Sequence, residues 1–592
     1  MATPASPSPK STAQTVRDTL ESILIAFILA FVFRAFIVEA FVIPTGSMAA
    51  TLYGDQVTCT CSTCGFEYAR GITENDVRAV HENLSRSPRS LTLRCPNCDT
   101  MADEIPPERI VRPDSGDRIL VHKWPFDIGG ALLGPQRWDV TVFKDPRDGQ
   151  TNFIKRLVGL PGEILQIIDG DVFAAPLQTV RARDPGLIDA FEQLRLDIAR
   201  HASGEAPMDR DAASARLEEL GRRVLPMLEI QRKTRRAQDA LWMIVYDHDF
   251  LPDYGHLRTG DQQGPRWEPV GSSAGAWNTA GREVVFRVPD DNPAYIQFAG
   301  RPIADFYAYN HPLPGSSRGG ADCPVGDLRL RFTWFPEGGD GSLVLQMNRD
   351  DHTFFAYLSA DGTVRIDHHC PALQTPGNRQ MLGREARTGA FTPGRAFRVE
   401  FCNVDCRASV RVNGTEVAAG AWTPDLERAY RRGRNGEQPR PSEVRIGARK
   451  LAGRLRHVVL ERDVYYRSVV QNEAQSHPAG RTGPPGSRDV VTNPFVGWPG
   501  WGTTGCPILL RDQPFGEYFM LGDNSPASKD SRLWWEIGPH LKALGQEYKP
   551  GTVPEDQLIG KAFFVYWPAG YRPDWSPGIG LIPNVGRMRW IR

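Results

Sequence analysis

A charge excess of either sign is missing from this chain: 70 Lys and Arg stand against 70 Asp and Glu in 592 residues, a formal net charge of +0. Proteins that grip a nucleic-acid backbone use a basic face to displace its counterions, so nothing here points to nucleic acid. Cysteine is scarce at 10 residues, which excludes a disulfide-dense scaffold. Half of the ten fall between Cys59 and Cys98, which marks local chemistry rather than global stapling. Histidine is sparse too, and none of the 12 sits in a recognisable Ser/His/Asp motif. Long apolar runs are absent except at one place, Leu20 to Ile43. The length excludes a single core, because about 150 residues per domain implies three or four units.

What is present begins with a tail, 1–19, rich in Pro and small residues and therefore expected to be disordered. The run LESILIAFILAFVFRAFIVEAFVI, 20–43, predicts a transmembrane helix, since about 1.5 Å per residue carries it across about 30 Å of hydrocarbon. Arg34 and Glu39 interrupt its outer half, where long side chains snorkel or pair. Lys10 and Arg17 on the short flank favour an N-terminus inside, with the rest of the chain outside the cytoplasmic membrane. A cleaved signal peptide and an amphipathic helix lying flat are the competing readings, but no A-x-A site is evident before the turn that follows and Ser22 to Phe33 has no polar stripe.

Two C-x-x-C knuckles come next, Cys61 with Cys64 and Cys95 with Cys98. Paired knuckles of this spacing suit tetrahedral thiolate coordination of a structural zinc ion; disulfides are the alternative in an oxidising compartment. Strand alternation follows in SGDRILVHKWPF and RWDVTVFKDP, and a hairpin turn is expected at Asp169-Gly170. Leu187, Phe191, Leu194 and Ile198, then Leu217, Leu220, Val224 and Leu228, recur at helical spacing, with Pro226 expected to kink the second helix. From about Asp239 the period changes to two. Leu328, Leu330, Phe332 and Trp334 alternate with polar neighbours, as do Phe397, Val399 and Phe401, and Asn413-Gly414 predicts another hairpin. The chain as a whole reads as mainly β.

The chemistry is carried by three stretches. Ser47 lies in PTGSM just beyond the apolar run; Lys155 lies in FIKRLVGLPGE; MLGDNSPASKDSR follows far downstream. A serine hydroxyl needs a base to attack, and without a histidine motif the base to test is a lysine held neutral. A free lysine, with a pKa of about 10.4, is almost wholly charged at neutral pH, and apolar surroundings such as Ile154, Leu157 and Val158 lower it by desolvation. Arg156, on the opposite strand face, offers a fixed charge that would act in the same direction.

In type, order and surroundings, these stretches resemble the signature boxes of bacterial type I signal peptidases, the Ser/Lys proteases (leader peptidases) that cut signal peptides from exported proteins. The resemblance implies Ser47 as nucleophile and Lys155 as general base. It places Thr45 where the family carries an oxyanion-stabilising hydroxyl, Ser528 where a hydroxyl orients the lysine, and Asp530 and Arg532 as a structural pair. Ser525, Pro526 and Ala527 depart from the charged residues common in the family's third box. It also implies a β-barrel-like catalytic domain in three parts: 44–58 with the nucleophile, 111–183 with the base, and 506–592. A zinc-ribbon-like insertion (59–110), a helical insertion (184–238), a sandwich insertion (239–470) similar to laminin-G or concanavalin-like jelly rolls, and a linker (471–505) separate the parts. Implied partners are signal peptides of exported preproteins and the lipid bilayer, with a glycan or envelope protein as the sandwich's candidate ligand; no cofactor is needed for catalysis. Two rivals remain open, a self-cleaving regulator similar to LexA-like repressors and a membrane-anchored binding protein on an inactive peptidase scaffold.

Overall fold

The computed structural model describes residues 12–72, 93–102, 110–202, 206–253, 266–310, 323–468 and 500–591, apart from 436, 514, 536–537, 545–548 and 569–583. The expected cytoplasmic tail lies mostly outside them, as does most of the expected linker.

The apolar run divides into two elements. Helix α1 spans Thr12–Phe36, and its apolar side chains, among them Leu20, Leu24, Phe27, Ile28 and Phe31, are exposed. Strand β1, Val38–Val42, then pairs antiparallel with β2, Arg118–His122, in the register Val38↔His122 to Val42↔Arg118. The expectation of one helix over 20–43 is corrected accordingly. Past Phe36 the backbone finds its hydrogen bonds across a sheet edge, and β-branched residues at 38 and 42 suit that pairing. Among the described residues, no helix is long and apolar enough to cross a membrane.

The sheet that receives β1 has eight strands. Besides β1 and β2 it contains β3 (Val140–Lys144), β4 (Asn152–Gly159), β5 (Glu517–Leu521), β6 (Val553–Pro554), β7 (Leu558–Trp567) and β8 (Arg589–Trp590). Their order is β1-β2-β7-β3-β4-β5-β6, with β8 against β7. Strands from the two ends of the sequence therefore alternate. β4 bonds on one side to β3, with Thr141 opposite Lys155, and on the other to β5, with Leu521 opposite Arg156. Ile43, Met48, Leu52, Ile119, Val121, Val140, Val142, Ala562 and Val565 form the core beneath the Ser47 turn.

A second, four-stranded sheet joins Glu163–Ile168 and Asp171–Pro176 to Glu229–Ile230 and Ile508–Leu510. Asp169 and Gly170 take positive φ (53° and 87°), as a two-residue hairpin of this hand requires. The amphipathic helices are Pro185–Ala202 and Arg210–Val224, and their predicted apolar positions are buried. Pro226 does not kink the second helix. It sits in a 3-10 turn, Leu225–Met227, that follows the helix end, because a proline supplies no N–H to continue the ladder.

Where a sandwich was expected lies one antiparallel sheet of 13 strands, from Met243–Asp247 to Val444–Arg462. Its spine is a pair of long strands, Leu328–Arg349 and Val444–Arg462, whose three register shifts bend them. A continuous apolar core runs from Ile164 and Phe191 through Leu217 to Trp334 and Phe401. Buried charges cross the same boundary: Arg349 meets Asp171 at 2.8 Å and Asp327 at 2.6 Å, while Lys233 meets Asp463 at 2.8 Å and also pairs with Asp405. The insertion is thus welded to the peptidase-like sheets, since such charges tolerate burial only when mutually paired.

Candidate functional site

Ser47 occupies a single 3-10 turn, Gly46–Met48, whose Met48 is buried in the core below. Lys155 stands on β4, 5% exposed, and its Nζ lies 2.9 Å from Ser47 Oγ. The ammonium nitrogen also donates to the Ile154 carbonyl at 3.0 Å, and the Phe153 ring centroid lies 5.3 Å away. Burial pushes the Lys155 pKa down to about 8; Asp530 and Asp523 pull it upward, Arg147 lowers it further, and Asp145 again raises it. Desolvation dominates because the charged amine loses its hydration and gains no carboxylate partner of its own.

Among the strongest influences on Lys155 the cation is Arg147, and not the neighbour expected from sequence. Arg156 is fully buried in a bidentate pair with Asp523, with both hydrogen bonds at 2.7 Å, and it also donates to the Trp138 carbonyl at 2.7 Å. Its charge is consumed where it stands.

The third box closes over the serine turn from behind. Arg532 grips Asp530 through two hydrogen bonds of 2.8 Å, and Asp530 Oδ2 accepts from the Gly522 N–H at 3.0 Å. The Asn524 N–H donates to the Ser47 carbonyl at 3.1 Å, and Asn524 Nδ2 donates to the Gly46 carbonyl at 2.9 Å. Ser528 departs from expectation. Its hydroxyl is buried against Gly522, which has no Cβ to displace it, and among the described residues it makes no hydrogen bond to Lys155. Thr45 is exposed in extended conformation beside the turn, with its side chain free of any capping bond.

The four knuckle cysteines converge some distance along the chain. Cys61 Sγ lies 3.5 Å from Cys98 Sγ and Cys64 Sγ 3.6 Å from Cys95 Sγ, and all four sulfurs lie within 4.8 Å of one another. Four thiolates at about 2.3 Å from a tetrahedral zinc would stand about 3.8 Å apart, whereas a disulfide closes to about 2.0 Å. None of the ten cysteines is joined in a disulfide.

The description "Signal peptidase, peptidase S26" matches the chain over residues 111–181 and 503–567. Signal peptidase I of Pseudomonas fluorescens is 26% identical over 219 residues, 35% of this chain and 66% of the relative. Signal peptidase I of Rickettsia typhi is 29% identical over 163 residues, 27% of this chain and 44% of the relative. Over these segments the chain is similar to type I signal peptidases.

The matched segments hold Lys155 and the 522–532 box; Ser47 precedes them, and 182–502 falls between them. The chain spans about two thirds of the Pseudomonas relative and less than half of the Rickettsia one. Among solved structures, a carbohydrate-binding module CBM66 from Bacillus subtilis aligns over 33% of this chain and 94% of its own, at 10% identity and a TM-score of 0.22, too slight a likeness to bear on the fold.

Proposed function

We propose that this protein is a membrane-associated serine endopeptidase that removes N-terminal signal peptides from exported preproteins, with Ser47 as nucleophile and Lys155 as general base. The observation that carries the reading is the 2.9 Å contact between Ser47 Oγ and a lysine amine withdrawn from water. Neutral Lys155 takes the hydroxyl proton as Ser47 attacks the scissile carbonyl, then returns it to the leaving amine. The Ser47 N–H and the exposed Thr45 hydroxyl face the tetrahedral oxyanion. Asp530 and Arg532 hold the supporting loop, and Ser528 packs under it. The substrate binds as an extended strand, its small side chains entering shallow apolar pockets beside the turn. The exposed apolar surface of α1, joined to the Ser47 turn through β1 by the nine residues 37–45, holds this site at the outer face of the cytoplasmic membrane. Incubating the detergent-solubilised protein with a preprotein and sequencing the new N-terminus tests the reading. A new end after a small-x-small site is expected, and an intact preprotein would refute it.

A lysine whose pKa is held near 8 makes activity pH-dependent in a defined direction. Depression of the pKa means that the neutral, active base accumulates as pH rises. The kcat/KM of the wild type is expected to climb about tenfold per unit below about pH 8 and to level off above it. A profile flat from about pH 6 to pH 9 would contradict Lys155 as the base.

The Cys61, Cys64, Cys95 and Cys98 cluster is proposed to hold one structural zinc ion; four thiolates leave no position for a reactive water. Elemental analysis is expected to find one zinc per chain, and Cys95→Ser to retain less than about a tenth of it, because a knuckle with one thiolate no longer closes the tetrahedron.

A further inference from the structure

The large insertion sends one short segment back to the serine turn. Between its strands Ala294–Ala299 and Leu328–Arg349, the 3-10 turn Ala308–Asn310 reaches the peptidase-like sheet. Tyr309 is buried there, and its ring fills the space in which a side chain at Gly46 would stand: a Cβ on Gly46 would lie 2.1 Å from it, and one on Gly71, at the end of a strand of the knuckle unit, 2.4 Å. The Tyr309 ring also lies 5.6 Å from Tyr53 and 5.7 Å from Tyr307, and its hydroxyl donates to the Asp55 carbonyl at 3.4 Å. The segment is therefore wedged against the serine turn and the unit that follows it.

Next to Tyr309, Asn310 and Asn524 form a reciprocal amide pair. Asn310 Nδ2 donates to Asn524 Oδ1 at 2.6 Å, and Asn524 Nδ2 donates back to Asn310 Oδ1 at 2.8 Å. The second hydrogen on Asn524 Nδ2 goes to the Gly46 carbonyl. Only the amide nitrogen can donate to that carbonyl, so Asn310, by holding the other end, keeps the Asn524 amide from turning its oxygen toward Gly46. The Gly46 carbonyl belongs to the same planar trans peptide as the Ser47 N–H, and fixing one direction fixes the other.

We propose that Asn310, a residue of the insertion, is a positioning residue for the peptidase reaction: through Asn524 and the Gly46 carbonyl it aims the Ser47 N–H at the oxyanion. The proposal rests on the function proposed above and extends the reacting site to a segment outside the residues that carry the family resemblance. It follows that the insertion completes the nucleophile turn rather than decorating it. Loss of a whole oxyanion donor costs about 10²- to 10³-fold in kcat, and misaiming one costs less.

The test uses the full chain and a signal-bearing preprotein. Asn310→Ala is expected to lower kcat about 10- to 30-fold with KM within about twofold. The inflection of the pH profile near 8 stays in place, since the contact between Lys155 and Ser47 is untouched. The isosteric Asn310→Asp, which replaces the donor to Asn524 Oδ1 by a charged acceptor, is expected to lower kcat at least as far and guards against a packing artefact. The double variant Asn310→Ala with Asn524→Ala is expected to be no slower than Asn524→Ala alone, because both act through one hydrogen-bonded chain. Wild-type kcat in both Asn310 variants, additive losses in the double variant, or a moved inflection would each overturn the proposal. Absence of cleavage by the wild type, or full activity of Ser47→Ala, would instead bring down the underlying assignment of function, a result distinct from any of these.

Discussion

Lys155→Met is expected to lower kcat/KM for signal-peptide cleavage by about 10³- to 10⁴-fold, and Ser47→Ala by at least about 10⁴-fold. The two losses are not additive, because a nucleophile without its base and a base without its nucleophile fail at the same step. Lys155→Arg should be as inactive as Lys155→Met, since a guanidinium stays charged at any working pH and cannot accept the Ser47 proton. With a pKa near 8, about one amine in ten is neutral at pH 7, enough for turnover without further activation. The measurement is initial-rate cleavage of a preprotein by each purified variant, with circular dichroism showing that the sheet content persists. Activity of Ser47→Ala or Lys155→Met within about tenfold of wild type would remove the dyad from consideration.

Asp523→Asn is the second large effect. Arg156 and Asp523 are both fully buried, and removing the carboxylate leaves a guanidinium in a site closed to water. Breaking one partner of such a pair costs about 3–5 kcal/mol, whereas replacing both by apolar residues of similar volume is often close to neutral. The melting temperature of the unit containing the eight-stranded sheet is therefore expected to fall steeply for Asp523→Asn and much less for the double change Arg156→Met with Asp523→Leu. Because Arg156 also reaches Thr51 Oγ1 at 3.3 Å, just after the serine turn, activity should drop with stability. Equal melting temperatures for wild type and Asp523→Asn would show that this pair contributes nothing to the fold.

Much of this was legible in the sequence. Local motifs declare themselves because their chemistry constrains neighbours: a hydroxyl in a tight Gly-Ser turn, a lysine among apolar strand residues, two C-x-x-C knuckles whose sulfurs converge. Periodicity was equally readable, and the faces carrying Leu187 and Phe191 or Leu328 and Trp334 are buried as their spacing implied. Reading failed where an outcome depended on a distant partner. The run after Phe36 looked helical by hydropathy alone, yet Val38–Val42 became a strand because β2, some eighty residues away, offers it an edge. Arg156 looked like a free charge beside Lys155 until Asp523 claimed it. Ser528 turned toward Gly522 and not toward the amine. Nothing in the string around Tyr309 and Asn310 signals a role, since they match no motif and lie in an insertion.

By itself, then, the order of residues determined which groups are capable of chemistry and which faces must be hidden, because charge, hydroxyl, thiol and apolar area are properties of single side chains and their near neighbours. Tertiary structure alone decided which of those groups meet: the amine with the hydroxyl at 2.9 Å, the two knuckles with each other, the insertion with the serine turn. Such meetings follow from sheets assembled out of strands hundreds of residues apart, and the water those sheets exclude lowers the Lys155 pKa to about 8.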